Sequence, residues 1–232
     1  MFAQRISRIK PSATLEMTSK AADLKRNNKP VYNMSVGEPD FSTPMNIQEA
    51  GIFAIQNGHT KYTPGGGTFD LKQAITTKLR RDNNLNFDLN QIVVSSGGKH
   101  SLYNACQALF EKGDEVIIFT PYWVSFPDFV SVTGAKPIFV NTDSKKQNEP
   151  DFSDLEKKIN KNTKGIIINS PSNPTGGVWS DDAIIQLLEF LKLYKDIWIF
   201  SDECYEQLTY DTKFKSIASF DRSNDRIVTF QS

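Results

Sequence analysis

The chain has 232 residues, enough for one large domain or two small ones with a buried core. Its 27 Lys and Arg residues balance its 27 Asp and Glu residues, so no basic excess is present to neutralise a nucleic acid or an anionic membrane. The first residues lack the apolar stretch of a secretory signal. We therefore expect a cytoplasmic protein with no nucleic-acid or membrane partner, and its two histidines predict no metal site.

Short β-branched runs alternate with amphipathic helical stretches from residue 90 onward. This alternation is typical of βαβ units and predicts an α/β fold with a mainly parallel sheet. Most of the runs are apolar without a break, as in strands that are covered on both faces. The six predicted strands are 91–96, 115–120, 136–141, 164–169, 197–201 and 226–231.

Three helices are predicted from their end signals and apolar stripes. Ser180 can accept a backbone N–H as the N-cap of a helix that runs to Lys195. Pro44 begins a second helix, which Gly58 can close through a left-handed C-terminal position. A third helix is predicted to start near Thr68.

The loops after the predicted strands carry the residues of chemical interest, because ligands of doubly wound sheets bind at the carboxyl ends of strands. After the first strand, Gly97, Gly98 and Lys99 lead into a helix whose first backbone N–H groups can seat a phosphate. An ordinary glycine turn is the alternative. Trp123 follows the second strand and could stack on a planar ligand, although packing at the rim of the sheet explains such a ring equally well.

Two further loops contribute polar side chains. After the fourth strand, the prolines and glycines of 170–177 fix the backbone and aim the Asn173 amide at one place. After the fifth strand, Asp202 ends an apolar run, where burial raises the pKa of its carboxyl unless a cationic partner holds it ionised. A protonated ring nitrogen would be such a partner, and a capping role in the next turn is the alternative. Together the four loops predict one ligand site.

Six motifs, in order along the chain, carry a family resemblance. They are GEPDF at 37–41, KYT at 61–63, GGK at 97–99, PYW at 121–123, NPTG at 173–176 and SDECY at 201–205. In combination they resemble class I pyridoxal-phosphate-dependent aminotransferases, particularly the bacterial aspartate aminotransferases. The resemblance implies the large domain of a fold-type I transferase, with a mainly parallel sheet and helices on both faces. It also implies that 1–35 is the N-terminal segment of the small domain and that 36–232 is a partial cofactor-binding domain.

The resemblance implies how the cofactor, pyridoxal 5′-phosphate, is bound. Asp202 would pair with the pyridinium nitrogen, so that the ring acts as an electron sink. Asn173 and Tyr205 would hydrogen-bond the phenolic oxygen, and Trp123 would stack on the ring. Asn173 and Trp123 would also contact the substrate.

The phosphate and the substrate would contact further residues of the same pattern. Backbone amides of Gly98 and Lys99 would bind the phosphate, and Tyr62 would reach the phosphate of the partner subunit in a homodimer. Gly37 would touch the α-carboxylate of the substrate, and Lys99 would favour a distal carboxylate. Two residues near the N-terminus would line the substrate entrance, Ser12 and Thr14.

The implied reaction transfers the amino group of L-aspartate to 2-oxoglutarate, giving oxaloacetate and L-glutamate. Prephenate or another acidic substrate is the close alternative, because Lys99 suits any distal carboxylate.

The Schiff-base lysine and the C-terminal small domain would lie beyond Ser232, so the sequence predicts a truncated chain without its catalytic residue. A family strand between 91–96 and 226–231 would be missing too, which leaves both edges open. A non-catalytic remnant, the N-terminal half of a split enzyme and a nucleotide-binding α/β domain are also compatible with these residues.

Overall fold

The computed structural model describes residues 2–9, 11, 13–34, 37, 39–223 and 225–232. Within these ranges the helices are α1 (Ala13–Arg26), α2 (Met45–Gln56), α3 (Phe69–Asn83), α4 (Gly98–Leu109), α5 (Phe126–Thr133), α6 (Phe152–Lys158) and α7 (Asp181–Leu191). The strands are β1 (Glu115–Phe119), β2 (Lys136–Val140), β3 (Thr142–Asp143), β4 (Glu149–Pro150), β5 (Thr163–Asn169), β6 (Trp198–Asp202) and β7 (Ile227–Phe230). None of the described helices is both long enough and apolar enough to cross a membrane.

The chain divides into two compact units. Unit 1 comprises Met1–Ile9 and Gly65–Ser232, and unit 2 comprises Lys10–Pro64. Unit 2 contains α1 and α2, and Gly58 has a positive φ of 74° just after α2, as its predicted role in ending that helix requires. The assignment of 1–35 to a small domain stays a prediction from the family resemblance.

The main sheet of unit 1 has five parallel strands in the order β2-β1-β5-β6-β7. The strand registers align one isoleucine from each strand in a row across the sheet, namely Ile138, Ile117, Ile166, Ile199 and Ile227. Five of the six predicted strands are therefore confirmed. The short strands β3 and β4 pair antiparallel with each other.

Helices cover both faces of this sheet. The isoleucine row packs in one core cluster with apolar residues of α7 such as Leu187, which is 1% exposed. The alternate residues Ile118, Ile167 and Phe200 face the other way and pack in a second cluster with Leu102 of α4. The continuous apolar runs are explained by this double coverage, and the predicted α/β fold class is confirmed.

The helix start signals are confirmed at two of the predicted positions. The Ser180 hydroxyl accepts the backbone N–H of Ala183 at 3.2 Å at the start of α7. The Thr68 hydroxyl accepts the N–H of Leu71 at 3.4 Å at the start of α3. Because α7 ends at Leu191, it is shorter than the predicted helix.

The prediction of a strand at 91–96 is wrong for the described chain. Leu89–Gln91 form a 3-10 turn, and 92–95 have no strand partner; the N–H of Val94 donates instead to the carbonyl of Gly66 at 3.0 Å. A strand forms only where its backbone pairs with a neighbour. Here this segment and the edge strand β7 line the same groove of about 850 Å³ and are not paired as strands.

Candidate functional site

Most of the predicted site residues in unit 1 lie at the carboxyl edge of the parallel sheet. Asp202 ends β6, and its strand partner is Asn169, which ends β5. On its other side Asp202 is paired with Phe230. Ser232, two residues further, lies so close to Gly98 that a Cβ added there would be 3.2 Å from the Ser232 Cβ. Asp202 and the glycine turn before α4 are therefore at the same edge of the sheet.

Asp202 is a buried carboxylate without a cationic protein partner among the described ion pairs. It is 6% exposed, and its Oδ1 accepts the backbone N–H of Cys204 at 3.3 Å. Burial raises the pKa of this carboxyl, as the sequence predicts. The Asp202 carboxylate is thus suited to a positively charged atom of a ligand.

Asn173 and Tyr205 meet at this edge through their side chains. The Asn173 Nδ2 donates to the Tyr205 hydroxyl oxygen at 3.1 Å. Both side chains are half-buried. One amide and one phenol are therefore held together beside the strand end that carries Asp202, where they can share hydrogen bonds with an anionic oxygen of a ligand.

Asn169 links these residues, although it was not among the residues predicted for the site. Its Nδ2 donates to the backbone carbonyl of Asp202 at 3.1 Å, and its Oδ1 accepts the backbone N–H of Asn173 at 2.7 Å. The signal for it in the sequence is weak: a polar residue that ends a run of three isoleucines.

The loop at 170–177 is fixed by its own hydrogen bonds. The Ser172 N–H donates to the carbonyl of Gly177 at 2.9 Å, and the Gly176 N–H donates to the carbonyl of Ser172 at 2.7 Å. Gly177 is buried, and a Cβ on it would overlap the carbonyl oxygen of Gln147. Only glycine therefore allows the loop that carries Asn173 to pack this closely on the β3–β4 connection.

Replacing Gly177 with alanine is expected to lower the free energy of unfolding by about 1–3 kcal/mol, because one backbone segment must move away from the other. Urea denaturation would measure the change. The matched control is Gly51→Ala in α2, where no atom lies within 4 Å of the added Cβ. That control is expected to leave stability unchanged or raise it by up to about 1 kcal/mol. Equal effects of the two substitutions would contradict the packing argument.

The glycine turn before α4 has the geometry of an anion seat. Gly97 has a positive φ of 86°, which favours glycine, and α4 begins at the next residue. The first N–H groups of a helix have no acceptor within the helix and carry its positive dipole end. The backbone amides of Gly98 and Lys99 lie in this first turn and can donate to a phosphate.

Trp123 and Lys99 contact each other at the same end of the sheet. The Lys99 Nζ lies 5.1 Å from the centroid of the Trp123 ring, a cation–π arrangement. The ring is half-buried and is held edge-to-face by Phe126 and Phe129, with centroid distances of 5.4 and 5.8 Å. Trp123 thus packs at the rim of the core and stays partly accessible to a ligand.

A second buried acid, Glu203, was also missed in the sequence. It is fully buried, and its Oε1 accepts the hydroxyls of Ser201 and Ser216 at 2.8 Å each and the N–H of Ile217 at 3.1 Å. Its Oε2 accepts from the Gln231 amide at 3.4 Å. Burial raises the pKa of Glu203 to about 7. The side chain joins the end of β6 to the segments before and after β7.

The remaining predicted residues lie in unit 2 or near its start. Gly37 and Tyr62 are exposed there, and Thr14 lies in α1. Ser12 lies outside the described residues. The roles of these four residues stay predictions.

The fold and the site define an α/β protein with a buried carboxylate and neighbouring polar side chains at the carboxyl edge of its parallel sheet. The chain belongs to the aminotransferase class I and II family, whose family model matches residues 29–232. This family depends on pyridoxal phosphate.

The chain is similar to curated relatives and solved structures of aspartate aminotransferases. It is 47% identical over 207 residues to an aspartate/prephenate aminotransferase of Nitrosomonas europaea, covering 89% of this chain and 52% of the relative. It is 44% identical to an aspartate aminotransferase of Bacillus subtilis, covering 91% and 54%. The aspartate aminotransferase of Thermus thermophilus with maleate superposes with a TM-score of 0.94 at 35% identity, covering all of this chain and 60% of that one. The chain thus spans about half the length of the curated relatives it matches.

Proposed function

We propose that the protein is an aminotransferase that acts on L-aspartate and 2-oxoglutarate, with pyridoxal 5′-phosphate bound at the carboxyl edge of the sheet. The observation that carries the proposal is the buried carboxylate of Asp202, which has no salt bridge among the described residues. A protonated pyridine nitrogen supplies the missing positive charge. A nucleotide-binding domain without this cofactor gives no reason for an uncompensated acid there.

The residues present fit the polar edge of the cofactor ring. Asp202 would hold the ring nitrogen in its protonated form, because burial disfavours an isolated carboxylate and favours an ion pair. The Asn173 amide and the Tyr205 hydroxyl would bind the phenolic oxygen, and their 3.1 Å contact supports a shared task. When bound, pyridoxal phosphate supplies an electron sink for bonds at the α-carbon of an amino acid.

Further residues at this edge of the sheet would contact the ring face and the phosphate. Trp123 would stack on the ring, and its two phenylalanine neighbours keep the indole in place. Backbone amides of Gly98 and Lys99 would bind the phosphate at the start of α4. Gly37 would contact the α-carboxylate of the substrate through its backbone, which rests on the family resemblance.

Lys99 supports an acidic substrate. Its ammonium group lies against Trp123, next to the proposed ring position, where it can meet a distal carboxylate of aspartate or glutamate. Prephenate, which also carries a second carboxylate, is the second candidate, and the name of the Nitrosomonas europaea relative includes it.

We further propose a cytoplasmic homodimer in which Tyr62 reaches the phosphate bound by the partner subunit. The large apolar side chains of α2 support a covered surface, because Ile52, Phe53 and Ile55 are each more than half exposed. A balanced net charge is consistent with this location.

Activity assays of the purified protein, completed with the C-terminal segment that is expected to supply the Schiff-base lysine, would test the proposal. With pyridoxal phosphate present, aspartate and 2-oxoglutarate are expected to yield glutamate, and prephenate is assayed as the competing acceptor. No glutamate formation from aspartate would contradict the substrate, and turnover of prephenate alone would favour the second candidate.

Borohydride reduction would separate a complete enzyme from a non-catalytic remnant and from a split enzyme. A pyridoxyl-lysine located within residues 1–232 would contradict both the remnant and the split enzyme. Its absence, together with activity recovered on adding a second polypeptide that supplies the lysine, would favour the split enzyme.

A further inference from the structure

The ends of β5 and β6 are joined by a side chain to which no role has been assigned. We infer that Asn169 is a positioning residue that fixes the ring-binding group, defined as Asp202, Asn173 and Tyr205. The inference rests on the proposed function, since it concerns residues that would bind the polar edge of the cofactor ring.

The hydrogen bonds of Asn169 connect the members of the ring-binding group directly. Its Nδ2 donates to the carbonyl of Asp202 at 3.1 Å, and its Oδ1 accepts the N–H of Asn173 at 2.7 Å. Asn173 in turn donates from its side chain to Tyr205 at 3.1 Å. Tyr205 is three residues after Asp202, and the N–H of Cys204 between them donates to the Asp202 carboxylate. The backbone from Asp202 to Tyr205 therefore completes a closed circuit with the three hydrogen bonds.

The circuit requires a side chain that donates and accepts at the same time. A primary amide does both, whereas a carboxylate only accepts and an alanine does neither. Asn169 cannot be rotated by half a turn, because its NH₂ would then face the N–H of Asn173 and its oxygen would face a carbonyl. The chemistry at this position therefore specifies asparagine.

The loop at 170–177 makes the position of this bond important. Within the loop the Ser172 N–H donates to the carbonyl of Gly177 at 2.9 Å, a bond that does not depend on Asn169. Asn169 accepts the Asn173 N–H and donates to the end of β6, so it links this loop to the strand that carries Asp202. Losing its side chain would let the Asn173 amide shift relative to the Asp202 carboxylate without unfolding the loop.

Asn160 offers a matched control at the opposite end of β5. Its Oδ1 accepts the N–H of Asn162 at 2.9 Å, and its Nδ2 donates to the backbone carbonyl of Lys158 at 3.1 Å and also to the Glu115 carboxylate at 2.7 Å. It therefore makes the same two kinds of hydrogen bond before Thr163, the first residue of the strand, away from the ring-binding group. Asn160→Ala removes comparable bonds without touching the proposed cofactor site.

Binding of pyridoxamine 5′-phosphate to the full chain tests the inference. This probe has the ring and phosphate of the cofactor but needs no lysine to bind. Calorimetry is expected to show a roughly tenfold or larger rise in Kd for Asn169→Ala and Asn169→Asp, and no change for Asn160→Ala. The Kd of inorganic phosphate, measured by competition with the probe, is expected to be the same in all variants, since the phosphate-binding turn at Gly98 does not involve Asn169.

The absorbance of the bound probe separates positioning from a merely structural role. A hydrogen bond from Asn173 favours the ionised phenol of the ring, so misplacing that amide is expected to raise the pH at which the spectrum changes. A purely structural role would lower the melting temperature of both alanine variants and leave this pH midpoint unchanged. If Asn169→Ala does not fold, Asn169→Asp retains the acceptor for Asn173 and supplies the readout.

The outcomes distinguish the inference from the proposed function. Wild-type protein that does not bind the probe would overturn the proposed function. Wild-type binding with an equal Kd and an equal pH midpoint in the folded Asn169 variants would overturn only the positioning role.

Discussion

Replacing Asp202 with asparagine is expected to weaken pyridoxamine 5′-phosphate binding by roughly 10²- to 10⁴-fold. Asparagine has the same shape, but it cannot neutralise a protonated ring nitrogen, and removing one partner of a buried ion pair costs about 3–5 kcal/mol. The unliganded protein is expected to be as stable as the wild type or more stable. Burial already disfavours the ionised form of Asp202, as its raised pKa indicates, and a neutral amide avoids that cost.

Calorimetry for affinity and urea denaturation for stability would measure both effects of Asp202→Asn. The control is Asp211→Asn, an exposed carboxylate for which neither quantity should change. A fall in stability with unchanged affinity would contradict the ring-nitrogen role. It would favour a capping role, in which Asp202 serves mainly to accept the Cys204 N–H.

Replacing Glu203 with glutamine is expected to remove a contribution of about 3 kcal/mol to the pH dependence of stability. Burial raises the pKa of Glu203 from 4.5 to about 7, so between these values the folded protein holds a proton that the unfolded chain has released. The wild type therefore loses stability as pH rises from 4.5 to about 7 and stays less stable above that range. Glutamine does not titrate, and it keeps an oxygen to accept from Ser201 and Ser216.

Urea denaturation at pH 5 and pH 8 would test the Glu203 prediction, with the difference between the two stabilities as the observable. The nearby Glu206 forms an ion pair with Lys78, so its charge is compensated, whereas Glu203 has no such partner among the described ion pairs. The Gln231 amide donates to both carboxylates. Glu156→Gln, at an exposed position on α6, serves as the control and should follow the wild type. An equal difference in stability between pH 5 and pH 8 for Glu203→Gln and the wild type would contradict the raised pKa of Glu203.

Much of the fold could be predicted because the informative signals are local. A strand covered on both faces is apolar at every position, and β1, β5 and β6 were found from that pattern alone. The cap at Ser180 and the stripe behind it predicted α7. The segment 91–96 has an equally apolar pattern, but a strand also needs a pairing neighbour, which local sequence cannot reveal.

The candidate site likewise contains residues that local sequence predicts and residues that it does not. Asp202 and Asn173 were predicted because one ends an apolar strand and the other lies in the loop after a strand, and burial raises the pKa of Asp202 as the sequence predicts. Asn169 and Glu203 were missed because their significance depends on partners distant in sequence. The partner of Asn169 is 33 residues away, at Asp202, and that of Glu203 is 13 residues away, at Ser216. Neither pairing has a periodic or motif signature.

The closed circuit of hydrogen bonds has a practical consequence for protein engineering. One continuous stretch, 169–205, contains Asn169 and every side chain proposed to bind the ring nitrogen or the phenolic oxygen of the cofactor. A mutant library confined to that part of the gene would therefore cover all the polar side chains proposed to position the vitamin B6 ring. Substitutions at Gly37 or Tyr62, in unit 2, could be screened separately.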